Sequence, residues 1–109
     1  MKSDIFLINS SSEITFVDLN ELIYLQADGR YTYFHFKNSK KITSSKNIGE
    51  YDKILNDNFI RIHQSYIVNI HFIKSISTKQ GFILHLKDSN VTLPIAKRRF
   101  KNLIDNFQL

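Results

Sequence analysis

The sequence of 109 residues contains no cysteine, no tryptophan, one proline and three glycines. Without cysteine, it cannot form a disulfide scaffold, a thiolate zinc site, an iron–sulfur cluster or a cysteine nucleophile. No run of about 18 apolar residues exists, so no segment is predicted to span a membrane. The N-terminal apolar stretch ends at Asn9-Ser10-Ser11-Ser12, which argues against a signal peptide. These absences fit a cytoplasmic protein.

What the chain does contain is sufficient for a folded core. Apolar residues make up 42% of the sequence and aromatic residues 13%, which excludes wholesale disorder. The length favours one domain, because domains of about 100–150 residues are the commonest. We therefore expect a single domain over residues 1–109.

The positive charge is concentrated in the second half of the chain. The formal net charge is +5, and residues 1–54 hold equal numbers of basic and acidic side chains. Residues 55–109 carry the whole excess, half of their basic residues lying within residues 97–101. Such a cluster suggests a polyanionic partner, although a solvated basic helix end would look the same at this level.

Most of the chain has strand composition, with turn residues between the segments. Six segments are rich in β-branched, aromatic and aliphatic residues: 13–17, 22–26, 31–36, 41–44, 82–86 and 91–95. Asp28-Gly29 is a tight-turn signal. Pro94 cannot donate a ladder hydrogen bond, so its strand should end there or lie at a sheet edge.

Two segments have helical periodicity instead. Apolar residues recur at intervals of three and four in residues 47–56 and again in residues 97–107. Ser44 or Ser45 is the expected N-cap of the first helix, and Pro94 suits the start of the second. The predicted fold is mainly β with two short helices.

Residues 59–73 are the most informative part of the sequence. The even-numbered positions are apolar except Gln64, which is typical of a strand with one core face. Burying an unpaired amide costs about 1–3 kcal/mol, so we predict a bend that lifts His63, Gln64 and Ser65 into a polar loop. A glutamine there could bond bidentately to adenine or simply cap a turn. The residues alone leave both open.

The same segment resembles the signature of LytTR domains, Phe-x-Arg-x-His-x-Ser-Tyr-x-Val-Asn. It reads Phe59-Ile60-Arg61-Ile62-His63-Gln64-Ser65-Tyr66-Ile67-Val68-Asn69 here. The similarity continues through residues 22–32, 44–48 and 93–100, and so covers nearly the whole chain. It implies an elongated, multi-sheet, mainly β module that binds DNA in transcriptional regulation, as the output domain of a response regulator or as a stand-alone regulator.

The resemblance also implies how DNA is contacted. Three loops enter the major groove of duplex DNA at direct repeats, often as a pair of protomers. The residues assigned to DNA contact are Arg30 and Tyr31 in the first loop, His63, Gln64 and Ser65 in the second, and Lys97 and Arg98 in the third. The family's usual serine is Ala96 here, and its usual arginine is Lys97, which cannot form a planar fork on guanine. Arg61 and Asn69 are as suited to ordering the second loop as to touching DNA.

Several alternatives stay open at this level. The four histidines show no metal-ligand spacing, so no metal or other cofactor is expected. An RNA- or single-strand-binding small β-barrel would use the aromatic residues for stacking. A metal-dependent nuclease or a protein-interaction module is less favoured. In LytTR proteins, a receiver domain or membrane segment usually precedes the DNA-binding domain, and neither is present in this sequence.

Overall fold

The structure is a computed structural model that describes residues 4–107. Within this range there are ten strands and two α-helices. In chain order they are β1 (Ile5–Asn9), β2 (Ile14–Asp18), β3 (Leu22–Asp28), β4 (Tyr31–Phe36), β5 (Lys41–Ser44), α1 (Ile48–Asp52), β6 (Phe59–His63), β7 (Tyr66–Asn69), β8 (Ile73–Ser77), β9 (Ile83–Leu86), β10 (Thr92–Pro94) and α2 (Lys97–Asp105). Short 3-10 turns follow β2, β4 and β7.

The strands form three antiparallel sheets. The central sheet has the order β5-β4-β3-β7-β6, while β1 pairs with β2 and the third sheet has the order β10-β9-β8. The molecule measures 44 × 33 × 26 Å along its principal axes. The mainly β, elongated, multi-sheet fold with two short helices is confirmed.

Apolar side chains cover both faces of the central sheet. One core joins that sheet to the β1–β2 hairpin and α1, and its buried residues are Ile8, Val17, Leu19, Leu22, Leu25, Phe34, Phe36, Ile48, Tyr51, Phe59 and Ile67. The other joins it to the three-stranded sheet and α2, through Ile62, Val68, Leu84, Leu86, Leu93, Ile95 and Leu103. The expectation of one core face in residues 59–73 was therefore too simple. Phe59 and Ile67 are buried on the opposite side from Ile62 and Val68.

The turn predictions agree with the structure. Gly29 has a φ of +61° between β3 and β4, a conformation that glycine adopts without steric cost. The bend at residues 63–65 separates β6 from β7, as the isolated Gln64 indicated. Pro94 is the last residue of β10, which is also an edge strand. Both conditions that let a sheet accept proline are met.

Both helices are shorter than predicted. α1 ends at Asp52 rather than near residue 56, and α2 ends at Asp105 rather than 107. The expected serine N-cap is wrong, because the Asn47 side chain accepts the hydrogen bond from the Glu50 N–H at 3.1 Å. The Ser44 hydroxyl is buried and hydrogen-bonded to Tyr51 instead.

Asn69 fixes the position of β7 beside β3. Its side chain is buried, and its amide nitrogen donates to the Leu22 carbonyl at 2.9 Å. Its amide oxygen accepts from the His71 N–H at 3.0 Å, which ends the strand in a 3-10 turn. Asn69 therefore orders the backbone at the end of β7 that lies away from the second loop, so the expectation that it orders that loop is wrong.

We predict that Asn69→Ala destabilises the fold by about 1–3 kcal/mol, because the buried Leu22 carbonyl loses its partner. Urea unfolding followed by circular dichroism measures this loss. Asn90→Ala is the matched control, since Asn90 is exposed in the β9–β10 turn. Equal stability of the two variants would contradict the assignment.

His35 lies in a half-buried stack on the central sheet. Its ring is parallel to Tyr24 with the centroids 4.2 Å apart, and its Nε2 lies 2.9 Å from the Gln26 side-chain oxygen. Burial, and then the nearby Lys41 ammonium, lower the pKa of His35 below its ordinary value of 6.5. The fold therefore favours the neutral ring.

We predict that this histidine makes stability depend on pH. In the unfolded chain His35 takes up a proton more readily, so the free energy of unfolding decreases as the pH falls through about 6.5. An NMR titration of the ring should give a pKa below 6.5. Lys41→Ala should raise that pKa but leave it below the ordinary value, because burial is the larger cause. A native pKa at or above the ordinary value would refute the prediction.

Candidate nucleic-acid interface

Three connecting segments meet at one end of the central sheet. They are the β3–β4 turn at residues 28–31, the β6–β7 turn at residues 63–66 and the segment at residues 96–98 that opens α2, together called the three-loop end. The Ala27 N–H donates to the Ser65 carbonyl at 2.8 Å, and the Ala96 N–H donates to the Ile62 carbonyl at 2.8 Å. These two bonds join the second segment to the other two.

The first segment presents one cation and one ring. Arg30 is exposed, and Tyr31 is 45% exposed at the start of β4. Asp28 accepts a hydrogen bond from the Tyr33 hydroxyl at 2.7 Å, which raises the pKa of Tyr33. The Asp28 carboxylate is thus bonded to Tyr33, and the exposed Arg30 guanidinium can contact an external anion.

The second segment has an ordered backbone beneath an exposed amide. The Ser65 N–H donates to Nδ1 of His63 at 3.0 Å. Arg61 donates from Nε to the His63 carbonyl at 3.2 Å and from Nη2 to the Gln64 carbonyl at 2.6 Å. Gln64 itself is exposed. Its backbone is held while its side chain can still contact a ligand.

A carboxylate on α1 steadies Arg61. Asp52 Oδ2 lies 3.5 Å from Arg61 Nη1, and the Arg61 side chain is only 17% exposed. An arginine fork suits this task, because its planar donors can reach two carbonyls and a carboxylate together. Arg61 thus acts from inside the fold, which is one of the two roles the sequence left open.

The third segment places several cations beside Arg61. Lys97 and Arg98 are exposed in the first turn of α2, and Ala96 supplies no side-chain cap. Arg99 is partly buried, and its Nε has no hydrogen-bond partner among residues 4–107. Burial is the main cause that lowers the pKa of Arg99, followed by the charges of Arg61 and Arg98. The helix start is therefore strongly electropositive.

The structure brings together all seven residues to which the family resemblance assigned DNA contact. Lys46, to which no DNA contact was assigned above, lies beside them. Lys46 is exposed, and its carbonyl accepts from the buried Thr32 hydroxyl at 2.8 Å. This contact places it just beyond the end of β5, beside the first segment. The only sequence signal was its position within residues 44–48, which resemble the entry to the family's internal helix.

A family model described as the LytTr DNA-binding domain matches residues 12–108. This chain belongs to the LytTR family. Domains of this family bind DNA in transcriptional regulators. Membership favours neither the RNA-binding nor the nuclease alternative.

Individual relatives agree with this family. The chain is 29% identical to sensory transduction protein LytT of Oceanobacillus iheyensis, over 98% of this chain and 45% of the relative. It is also 29% identical to transcriptional regulatory protein NatR of Bacillus subtilis, over 94% of this chain and 43% of the relative. This LytTR chain spans less than half the length of these curated relatives.

A solved structure supports the fold. The LytTr DNA-binding domain of a methyl-accepting/DNA response regulator from Bacillus cereus superposes with a TM-score of 0.80. The alignment covers 99% of this chain and 100% of that one, at 22% sequence identity. In the described part of this LytTR domain, no helix is long and apolar enough to cross a membrane.

We predict that Arg61→Gln loosens the second segment without unfolding the LytTR domain. Losing a hydrogen bond from a charged donor costs about 1.5 kcal/mol or more, which is about a tenfold increase in local opening. Hydrogen exchange of the Ala27 amide, which is bonded to Ser65, reports that opening. Arg30→Gln is the control, because Arg30 is exposed in the neighbouring turn. The same exchange rate in both variants would exclude the positioning role.

Proposed function

We propose that residues 1–109 form one domain that binds duplex DNA sequence-specifically through the three-loop end. The observation that carries this proposal is the convergence of the three segments through the Ala27–Ser65 and Ala96–Ile62 hydrogen bonds. Exposed cations on the first and third segments, together with the exposed amide of Gln64 on the second, match the chemistry of a DNA groove. The site of action would be the cytoplasm.

The contacts divide into those that position the domain and those that read sequence. We assign Lys97 and Lys46 to phosphates, because both are exposed and lysine binds as a point charge. Arg98 is exposed beside Lys97 in the first turn of α2 and is assigned to a phosphate with it. Gln64 is assigned to a base edge, since its backbone is fixed and its amide can pair bidentately with adenine. Arg30 can form a planar fork on guanine. Tyr31, His63 and Ser65 complete the proposed contact set.

The arrangement on DNA is also a proposal. We infer that two copies bind direct repeats as a homodimer on DNA. The relatives named LytT and NatR are longer than this chain and carry names of sensory transduction and transcriptional regulation. A receiver domain in the same regulator is therefore the proposed source of the signal. Selection of bound duplexes from a random pool should recover a spaced direct repeat.

The two kinds of contact predict different losses on substitution. Gln64→Ala should remove about 1–3 kcal/mol of preference at one base pair and leave the salt dependence unchanged. Arg98→Ala should weaken all duplexes alike and reduce the slope of log affinity against log salt by about one. Fluorescence anisotropy on the selected duplex and a scrambled one, at several salt concentrations, measures both effects.

The wild-type slope tests the proposal as a whole. Each neutralised phosphate should contribute about −0.9 to it. A slope near zero, or the failure of selection to enrich any sequence, would refute DNA binding through these cations. Identical, uniform losses in the two variants would refute the division between reading and positioning.

A further inference from the structure

A second basic surface lies at the opposite end of the central sheet. There the 3-10 turn Lys37–Ser39 faces the β9–β10 turn across a groove of about 710 Å³. Ile23, Tyr24, His35 and Phe72 contribute to its lining. We call it the lysine groove after four of its lining residues, Lys37, Lys40, Lys41 and Lys87.

The charge of this groove is not balanced by its own residues. All four lysines are exposed, and Asp88 is the only acid among the lining residues. Among residues 4–107 none of the four forms an ion pair, whereas Lys101 on α2 is paired with Asp105 at 3.0 Å. The groove therefore presents four ammonium groups around an aromatic interior.

Unusual backbone conformations lie in the walls of the same groove. Within the described part of the chain, three non-glycine residues have a positive φ: Asn38 at 63°, Ser39 at 61° and Asp88 at 53°. All three line the groove. Asparagine and aspartate tolerate this left-handed conformation in tight turns, so the three values mark two sharp turns that border the groove. Two separate turns thus share this feature on either side of one cleft.

The groove is distinct from the three-loop end. Phe36 lines the groove and Tyr31 lies at the three-loop end, at opposite ends of β4. At about 3.3 Å per residue, roughly 17 Å separate them. That exceeds the screening length of about 8 Å at physiological salt, so charges in the groove and charges at the three-loop end interact only weakly.

Its aromatic rings are already engaged. Tyr24 is stacked on His35 with 4.2 Å between the centroids. Lys37 Nζ lies 5.5 Å from the centre of the Phe72 ring, and Lys40 Nζ lies 5.5 Å from that of Phe36. A single-stranded nucleic acid needs open ring faces for its bases, and these faces are occupied. Carboxylates need only the ammonium groups.

We propose that the lysine groove binds an acidic segment of a partner protein, with carboxylates on the four lysines and an apolar side chain against Ile23 and Val91. The cleft volume lies within the range of about 300–1,000 Å³ typical of ligand sites. Because the groove and the three-loop end lie at opposite ends of β4, the proposed partner would contact a different surface from the proposed DNA.

A labelled short peptide of alternating glutamates and phenylalanines tests this proposal, with the glutamine analogue as its reference. Fluorescence anisotropy is measured on the 109-residue chain without DNA, so the outcome does not depend on the proposed function. The glutamate peptide should bind, and the double variant Lys37→Ala/Lys41→Ala should bind it about five- to tenfold more weakly. Duplex binding by this variant should change by less than about twofold.

The matched control is Lys97→Ala/Arg98→Ala, which removes the same charge at the three-loop end. It should retain peptide binding. Absence of peptide binding, or an equal loss in both double variants, would overturn the proposal. So would equal binding of the glutamine analogue. Displacement of the peptide by a single-stranded oligonucleotide that depends on Lys37 and Lys41 would assign the groove to nucleic acid instead.

Discussion

The antiparallel pairing of β3 with β7 is the constraint on which the rest of the structure depends. Only three residue pairs define its register, from Tyr24–Val68 to Gln26–Tyr66. The register is held at one end by the Ala27–Ser65 hydrogen bond and at the other by the Asn69 amide on the Leu22 carbonyl. A slip of one residue would turn every side chain of β7 to the other face. The same pairing sets two hairpins side by side, so their turns emerge together.

The third segment of the interface depends on an irregularity in β6. The register between β6 and β7 shifts between Arg61 and His63. Ile62 lies within the shift, and its carbonyl accepts from Ala96 at the start of α2. Such a bulge bends a strand locally and re-aims its side chains. One irregular position therefore docks a helix, while the arginine before it reaches the carbonyls of the second loop.

Local patterns predicted the elements whose residues decide their own conformation. The glycine turn after β3, the proline end of β10 and the amphipathic helix α2 are of this kind. The strands β1 and β8 were not predicted. Ile73–Ser77 is interrupted by polar residues, and such a short segment becomes a strand only through its partner. Ile5–Asn9 is equally short and pairs only with β2. The Asn47 cap was missed because serine is an equally favoured N-cap residue. The sequence does not show that the Ser44 hydroxyl is bonded to Tyr51 instead. Burial of both faces of the central sheet likewise depends on the elements that pack against it from each side. The periodicity of a single segment does not predict that packing.

The distribution of charge is a second feature that the order of residues along the chain does not predict. Residues 1–54 are neutral in sum, yet three of their basic residues, Lys37, Lys40 and Lys41, line one groove with Lys87 from the second half. None of the acids that balance the sum lines the groove. A tally along the chain locates basic residues 97–101 because they are contiguous. It cannot locate a cluster that forms when two turns distant in sequence come together in the fold. Charged sites of this kind therefore have to be identified on the surface of the folded protein.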